Sequence, residues 1–173
     1  MKQIVADSSS IILLTKCNLL EEFCKFYNVV TSTAVREETA SKNLIIKYPD
    51  AALIGKLIDE GTIKIIDPGD AWLPIPFTIH RGEKEVLLLS MKYKNALLAT
   101  DDGQAIKAAR FLNIPFIISP KIVVEMVRLG LISFLQGRNS LEKLGKIGRY
   151  SPEIIAEALF FLQEVKDGQT NHF

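Results

Sequence analysis

Carboxylates close or closely follow the apolar runs of this chain. Asp7 ends Ile4-Val5-Ala6, and Asp101 and Asp102 end Ala96-Leu97-Leu98-Ala99-Thr100. Glu37 and Glu38 follow Val29-Val30-Thr31 within Val35-Arg36-Glu37-Glu38, and Glu83 and Glu85 open a helical pattern. Short apolar runs of this kind are strands, and helical periodicity fills the segments between them. That alternation confines the chain to an α/β fold with a mainly parallel central sheet flanked by helices. Parallel sheets carry their sites at the carboxyl ends of strands. Acids gathered there repel one another unless protons or a cation intervene, so the economical reading is a divalent-metal site.

The pattern predicts strands at Lys2 to Ala6, Asn28 to Thr31, Thr62 to Ile66 (alternating like an edge strand), Ala96 to Thr100 and Pro115 to Ile118. Ser8 to Ser10 offer caps for a helix that begins at Ile11 to Lys16 and continues through Leu19 to Phe26. Thr33 caps a helix over 34–42, and Pro49 opens another that Gly61 stops. Asp67 to His80, with Pro68, Pro74 and Pro76, is a long connection. Further helices follow at Gly82 to Tyr93, Asp102 to Leu112, Pro120 to Leu129, Ser133 to Leu144 and Pro152 to Glu164. Residues 1–130 are expected to form the α/β domain, residues 131–165 a helical C-terminal extension packed on it, and residues 166–173 a polar tail. In the last helix Ile154, Ile155, Ala158 and Leu159 to Leu162 are apolar on more than one side, which suits a buried helix or one that covers a partner.

The 173 residues suffice for one domain with a sizeable core. No apolar run approaches ~18 residues, so no membrane span is expected. The amino terminus meets Asp7 too soon for a signal peptide, which points to the cytoplasm. Cys17 and Cys24 read as buried free thiols. His80 and His172 are the only histidines, which disfavours a histidine-based zinc site or a catalytic triad. A net charge of +1 gives no global signature of a nucleic-acid binder. Arg36, Arg81, Lys84, Lys107 and Arg110 nevertheless lie close in sequence to the acids. They are either a solvated surface or a basic rim that holds phosphates.

Helical phase ranks the acids. Glu38 shares the face of Ala34 and Val35, so it is favoured as the inward acid over Glu37. Val86, Leu89 and Tyr93 centre the next buried face, and Glu85 lies nearer to it than Glu83, which is displaced by roughly 200°. Asp101 and Asp102 remain alternatives, since either is a natural N-cap for the helix beginning near Gly103. Asp7 has the same plain alternative. Oxygen donors with no His or Cys among them suit Mg²⁺ or Mn²⁺.

Together these motifs resemble the PIN-domain nucleases, in particular a VapC-like branch. They are the strand ending in Asp7-Ser8-Ser9, the Val35-Arg36-Glu37-Glu38 helix, Gly82-Glu83-Lys84-Glu85, and Leu97-Leu98-Ala99-Thr100-Asp101-Asp102 with Asn113-Ile114-Pro115 after its helix. Gly130-Leu131-Ile132 and the Ser-Pro-initiated helix ending at Glu164 extend the likeness to nearly the whole chain. The resemblance implies a PIN-like fold and a Mg²⁺- or Mn²⁺-dependent endoribonuclease. Asp7 and Asp101 or Asp102 would hold the metal, with Glu38 and Glu85 binding it or positioning its water. Ser8 and Ser9 would orient Asp7 or a phosphate oxygen, and Arg36, Arg81 and Lys107 would contact RNA backbone. Relatives of this kind are often toxins held by a small antitoxin, and form homodimers.

Two rivals stand beside that expectation. A haloacid-dehalogenase-like phosphatase also begins with a strand ending in Asp, but needs a second Asp two residues on, where this chain has Ser9. A catalytically inactive PIN-like module that binds RNA or protein is the stronger alternative.

Overall fold

The computed structural model describes residues 2–93 and 95–168. In chain order its elements are β1 (Gln3–Ala6), α1 (Ser8–Lys16), α2 (Leu20–Phe26), β2 (Asn28–Thr31), α3 (Thr33–Ala40), α4 (Lys42–Lys47), α5 (Pro49–Asp59), β3 (Ile63–Ile65), α6 (Arg81–Lys92), β4 (Leu97–Ala99), α7 (Gly103–Phe111), β5 (Phe116–Ile117), α8 (Ser119–Arg128), α9 (Phe134–Ile147) and α10 (Pro152–Lys166). They form two compact units, Met1–Ile117 and Ile118–Phe173. Part of the expected polar tail, residues 169–173 with His172, lies outside the described residues.

The first unit holds the sheet, in the order β3-β2-β1-β4-β5. Every neighbouring pair is parallel. The strands read as continuous apolar runs because their side chains are buried: Ile4, Val5, Val29, Val30, Leu98 and Ala99 are almost wholly covered. β3 is an edge strand, as its alternation predicts. The chain steps outward from β1 to β2 and β3, then returns to lay β4 along the other side of β1. Connections therefore leave β1 and β4 in opposite directions, which opens a crevice at their carboxyl ends. The register sets Ala6 opposite Ala99, so Asp7 and Thr100 emerge side by side.

Three local expectations need correction. The first helical pattern is not continuous: Asn18 adopts a left-handed φ of 57°, and α1 ends before α2 begins. Asn tolerates that conformation, and the Leu19 N–H returns to Leu14 O at 2.9 Å to close the turn. Ser32, not Thr33, caps α3, its hydroxyl accepting from the Val35 N–H. The same segment ends at Ala40, and Ser41 then starts the separate short helix α4. Cys17 and Cys24 are buried free thiols, as expected.

In the second unit α8, α9 and α10 pack on one another. Gly137 permits the close approach of α9 to α8, because a Cβ there would stand 2.4 Å from Val127 Cγ2. Ser133 and Gln136 form a capping box at the start of α9. α10 buries Ala158 and Leu162 and leaves Phe160 exposed, so it is covered along one stripe. Among the described residues no helix is long and apolar enough to cross a membrane.

The β1–β4 junction is pinned by Ser10, which is fully buried. Its hydroxyl reaches Ala99 O at 2.9 Å, with Asp7 O at 3.2 Å. Ala99 O also accepts from the Asp7 N–H at 3.0 Å. Ser10→Ala thus removes one hydrogen bond without orphaning the carbonyl. It is expected to cost about 1 kcal/mol, read as a lower urea midpoint at unchanged slope.

Candidate functional site

Asp7 leaves β1 in extended conformation and N-caps α1. Its Oδ1 accepts from the Ser10 N–H at 2.9 Å and from the Ser9 hydroxyl at 2.7 Å. Thr100, at the end of β4, donates its hydroxyl to Asp7 Oδ2. Ser9 ties the two strand ends further together, its hydroxyl accepting the Asp101 N–H at 2.8 Å, while the Thr100 hydroxyl accepts the Asp102 N–H at 3.2 Å within its own turn. Three of the roughly four acceptor positions of the Asp7 carboxylate are thereby filled, and its orientation is fixed.

A cleft of about 240 Å³ opens beside this carboxylate, lined by Asp7, Ser8, Ser9, Glu38, His80, Gly82, Glu83 and Asp102. Each acid arrives on its own element. Asp102 N-caps α7, its Oδ1 accepting from Gln104 N at 2.7 Å and Ala105 N at 3.0 Å. Glu83 stands in the first turn of α6, its Oε2 accepting from His80 N at 2.9 Å. Glu38 comes from α3, takes a hydrogen bond from the Ser8 hydroxyl, and rests on the bare Cα of Gly82. A Cβ at Gly82 would lie 2.6 Å from Glu38 Oε1 and 2.8 Å from Oε2.

Among the described residues no Lys or Arg lines this cleft, and His80 is the basic side chain beside its acids. Burial is the main cause that pushes the Asp7 carboxyl up to about 6, and the Asp101 charge adds to it, against the lowering effect of the Ser10, Thr100 and Ser9 hydrogen bonds. Glu83 is raised as well, first by burial; the Asp102 charge adds to it, while the His80 N–H opposes it. A set of carboxylate oxygens, with Asp7 and Glu83 pushed toward protonation, fits a hard divalent cation. The acids line the cleft without forming a finished shell: among the described residues no group of three or more His, Cys, Asp or Glu side chains is placed to hold a metal ion.

The sequence-derived candidates fall in three places. Asp7, Glu38, Asp102, Ser8 and Ser9 meet at the cleft. Asp101 flanks it, half-buried, with its N–H on Ser9 and its charge felt by Asp7. Glu85 is elsewhere: its Oε2 accepts from Ala34 N at 2.9 Å and its Oε1 from Arg81 Nε at 2.8 Å. Its carboxylate therefore joins α6 to the start of α3, and the cleft position expected of it is taken by Glu83. Helical phase read Glu85 correctly as inward-facing, since its side chain is 13% exposed. Inward from that point on α6, however, means toward α3, whereas the strand ends lie at the first turn of the helix. The expected RNA contacts are also placed outside the cleft lining. Arg36 pairs with Asp59 at 3.4 Å, and Arg81 pairs with Glu85 and, at 3.3 Å, with Glu37. Lys107 lies over the Phe77 ring. Sequence reasoning missed Thr100, His80 and Gly82. The signal for Thr100 was its place between an apolar strand and two acids.

Two outcomes follow from the crowded acids. The folded protein holds the Asp7 proton more tightly than the unfolded chain, whose aspartates titrate near 4. Asp7 therefore favours folding below that pH, and the benefit is lost as pH rises through about 6. Asp7→Asn in EDTA should raise the melting temperature at pH 7.5, by up to about 3 kcal/mol of stability. The gain should shrink toward zero near pH 4, and a gain independent of pH would refute the burial account. Gly82→Ala should displace Glu38 while the fold is retained; if the cleft takes Mn²⁺, calorimetry should show that binding weakened by about tenfold or more.

The chain matches a family model described as a PIN domain over residues 3–164. No curated protein and no solved structure matches it at a significant level. With a parallel sheet in the order β3-β2-β1-β4-β5 and acids from separate elements at its switch point, the chain belongs to the PIN-domain family, whose fold is of the nuclease type.

Proposed function

We propose that this protein is a Mg²⁺- or Mn²⁺-dependent endoribonuclease. The observation that carries the proposal is one cleft, at the carboxyl ends of β1 and β4, in which Asp7, Glu38, Glu83 and Asp102 meet with His80 beside them and, among the described residues, no Lys or Arg in the lining. Asp7 and Asp102 would hold the cation, with Glu38 and Glu83 completing or orienting its surroundings. A divalent cation bound there lowers the pKa of a water molecule and polarises a phosphate oxygen. Ser9, Ser10 and Thr100 keep the Asp7 carboxylate aimed, and Ser8 keeps Glu38 aimed. In the hydrolysis the water oxygen bonds to phosphorus as the bond to the 3′ oxygen breaks. The products are a 5′-phosphate and a 3′-hydroxyl.

The finer assignment, a VapC-like toxin restrained by a small antitoxin and working as a homodimer in the cytoplasm, rests on the motifs Asp7-Ser8-Ser9 and Gly82-Glu83-Lys84-Glu85. One observation favours a second reading, a PIN-like module that binds without turnover: the acids are not drawn into one coordination shell as they stand.

Purified protein should cut single-stranded RNA in Mn²⁺ or Mg²⁺ and stop in EDTA. Asp7→Asn and Glu83→Gln should each lower the rate at least a hundredfold, in the range of lost transition-state stabilisation of about 3 kcal/mol. Glu85→Gln should keep most of the activity, since the amide oxygen still accepts from Ala34 N. The opposite ranking of Glu83 and Glu85 would sink the assigned site. Metal binding without any cleavage would favour the module that does not turn over.

A further inference from the structure

α7 leaves the cleft at Asp102 and presents two different sides. Ala105, Ala108 and Ala109 are buried against the fold. Arg110 and Phe111 lie three and four residues after Lys107, and all three are exposed on the outward side. The helix contains no acid, so the charge on this side, which also carries the exposed Gln104, is cationic only. Phe111 is 55% exposed. Phe77, from the connection between β3 and α6, meets it edge-to-face with ring centroids 6.4 Å apart and an interplanar angle of 79°. The Lys107 ammonium sits 4.5 Å from the centre of the Phe77 ring, and the Arg110 guanidinium lies over Phe116 at 5.6 Å.

The aromatic pair and the cleft are joined at both ends. His80 lines the cleft three residues after Phe77, and Asp102 lines it where α7 begins. At ~1.5 Å per residue, Lys107 stands roughly 8 Å along the helix from Asp102 and Phe111 roughly 14 Å. A strand whose scissile phosphate occupies the cleft would pass next along a row of cations and then an exposed ring. A single-stranded nucleic acid combines these needs, since it has a phosphate chain and unpaired bases with open π faces. A duplex hides those faces. Edge contact with Phe77 holds the Phe111 ring in place before any base arrives, and the Phe77 ring in turn holds the Lys107 ammonium.

We infer that Phe111, braced by Phe77, is a stacking platform for an unpaired base of the RNA, with Lys107 and Arg110 contacting the phosphates that lead to it. The inference rests on the nuclease reading for the position of the scissile phosphate, but it concerns substrate positioning and not the chemical step.

The test is binding of a short fluorescently labelled single-stranded RNA, and of the same ribose-phosphate chain lacking its bases, in Mg²⁺. The Asp7→Asn background prevents cleavage during the measurement. Phe111→Leu, which keeps an apolar side chain but removes the ring, should weaken RNA binding by about tenfold. It should leave the abasic chain unaffected. Lys107→Gln should weaken both ligands by a similar factor and flatten the salt dependence. A Phe111→Leu variant that folds and binds both ligands like its parent overturns the platform, leaving the ring as packing for the connection. Equal losses for RNA and the abasic chain overturn it too, because the ring would then act without a base. If the parent binds neither ligand, the platform and the nuclease reading fail together. If the unmutated protein binds RNA through Phe111 but does not cut it, the platform stands and catalysis falls.

Discussion

The hydrogen-bond clamp on Asp7 is the constraint around which the site is organised. Ser9, Ser10 and Thr100 spend their donors on one buried carboxylate, and in doing so they fasten the end of β1 to the end of β4. This junction is also where the sheet changes direction, so the connections leaving β1 and β4 diverge from it. A buried carboxylate without such donors would be expensive to keep. With them it is tolerated, though not relieved, because burial still pushes its proton affinity up. The same few atoms therefore complete the fold and leave a carboxylate short of positive charge.

The surrounding acids are held in a related way. Asp7 and Asp102 are N-caps, and Glu83 sits in the first turn of its helix. In each, one carboxylate oxygen is committed to backbone N–H groups, which fixes the side chain. The partial positive charge of three helix starts also falls near the cleft and offsets some of the repulsion among the acids. Capping and metal holding were alternatives when only the sequence was in view. In the fold they are compatible uses of different oxygens of one group.

Much of the fold was legible in the sequence because its signals are local. Apolar runs such as Val29-Val30-Thr31 fixed the strands, and Pro49 and Gly61 bounded α5. The break at Asn18 was missed because it depends on a single left-handed residue inside a pattern that is otherwise helical. The site was legible in part. Asp7 and the Asp101-Asp102 pair follow from their places at strand ends, and Glu38 from its helical face, but the sequence did not choose between Asp101 and Asp102. The choice between Glu83 and Glu85 was not, because α6 is buried nearly all round its middle, at Val86, Leu87, Leu88 and Leu89. On such a helix phase identifies which residues are covered, not what covers them. Distance from the helix end, which phase ignores, decides which acid reaches the cleft.

The distribution of cations shows why a net charge of +1 was uninformative. Arg36 and Arg81, which the sequence places beside acids, are largely occupied by Asp59, Glu37 and Glu85. Exposed pairs of this kind contribute little stability, and they leave little net positive field for a phosphate chain. The acid-free side of α7 is different, because Lys107 and Arg110 lie over aromatic rings, which hold a cation in place without cancelling its charge. An overall near-neutral chain thus keeps an acidic cleft and a cationic flank on the same unit, and it is that local separation, not the total, which would bear on a polyanionic substrate of the kind proposed.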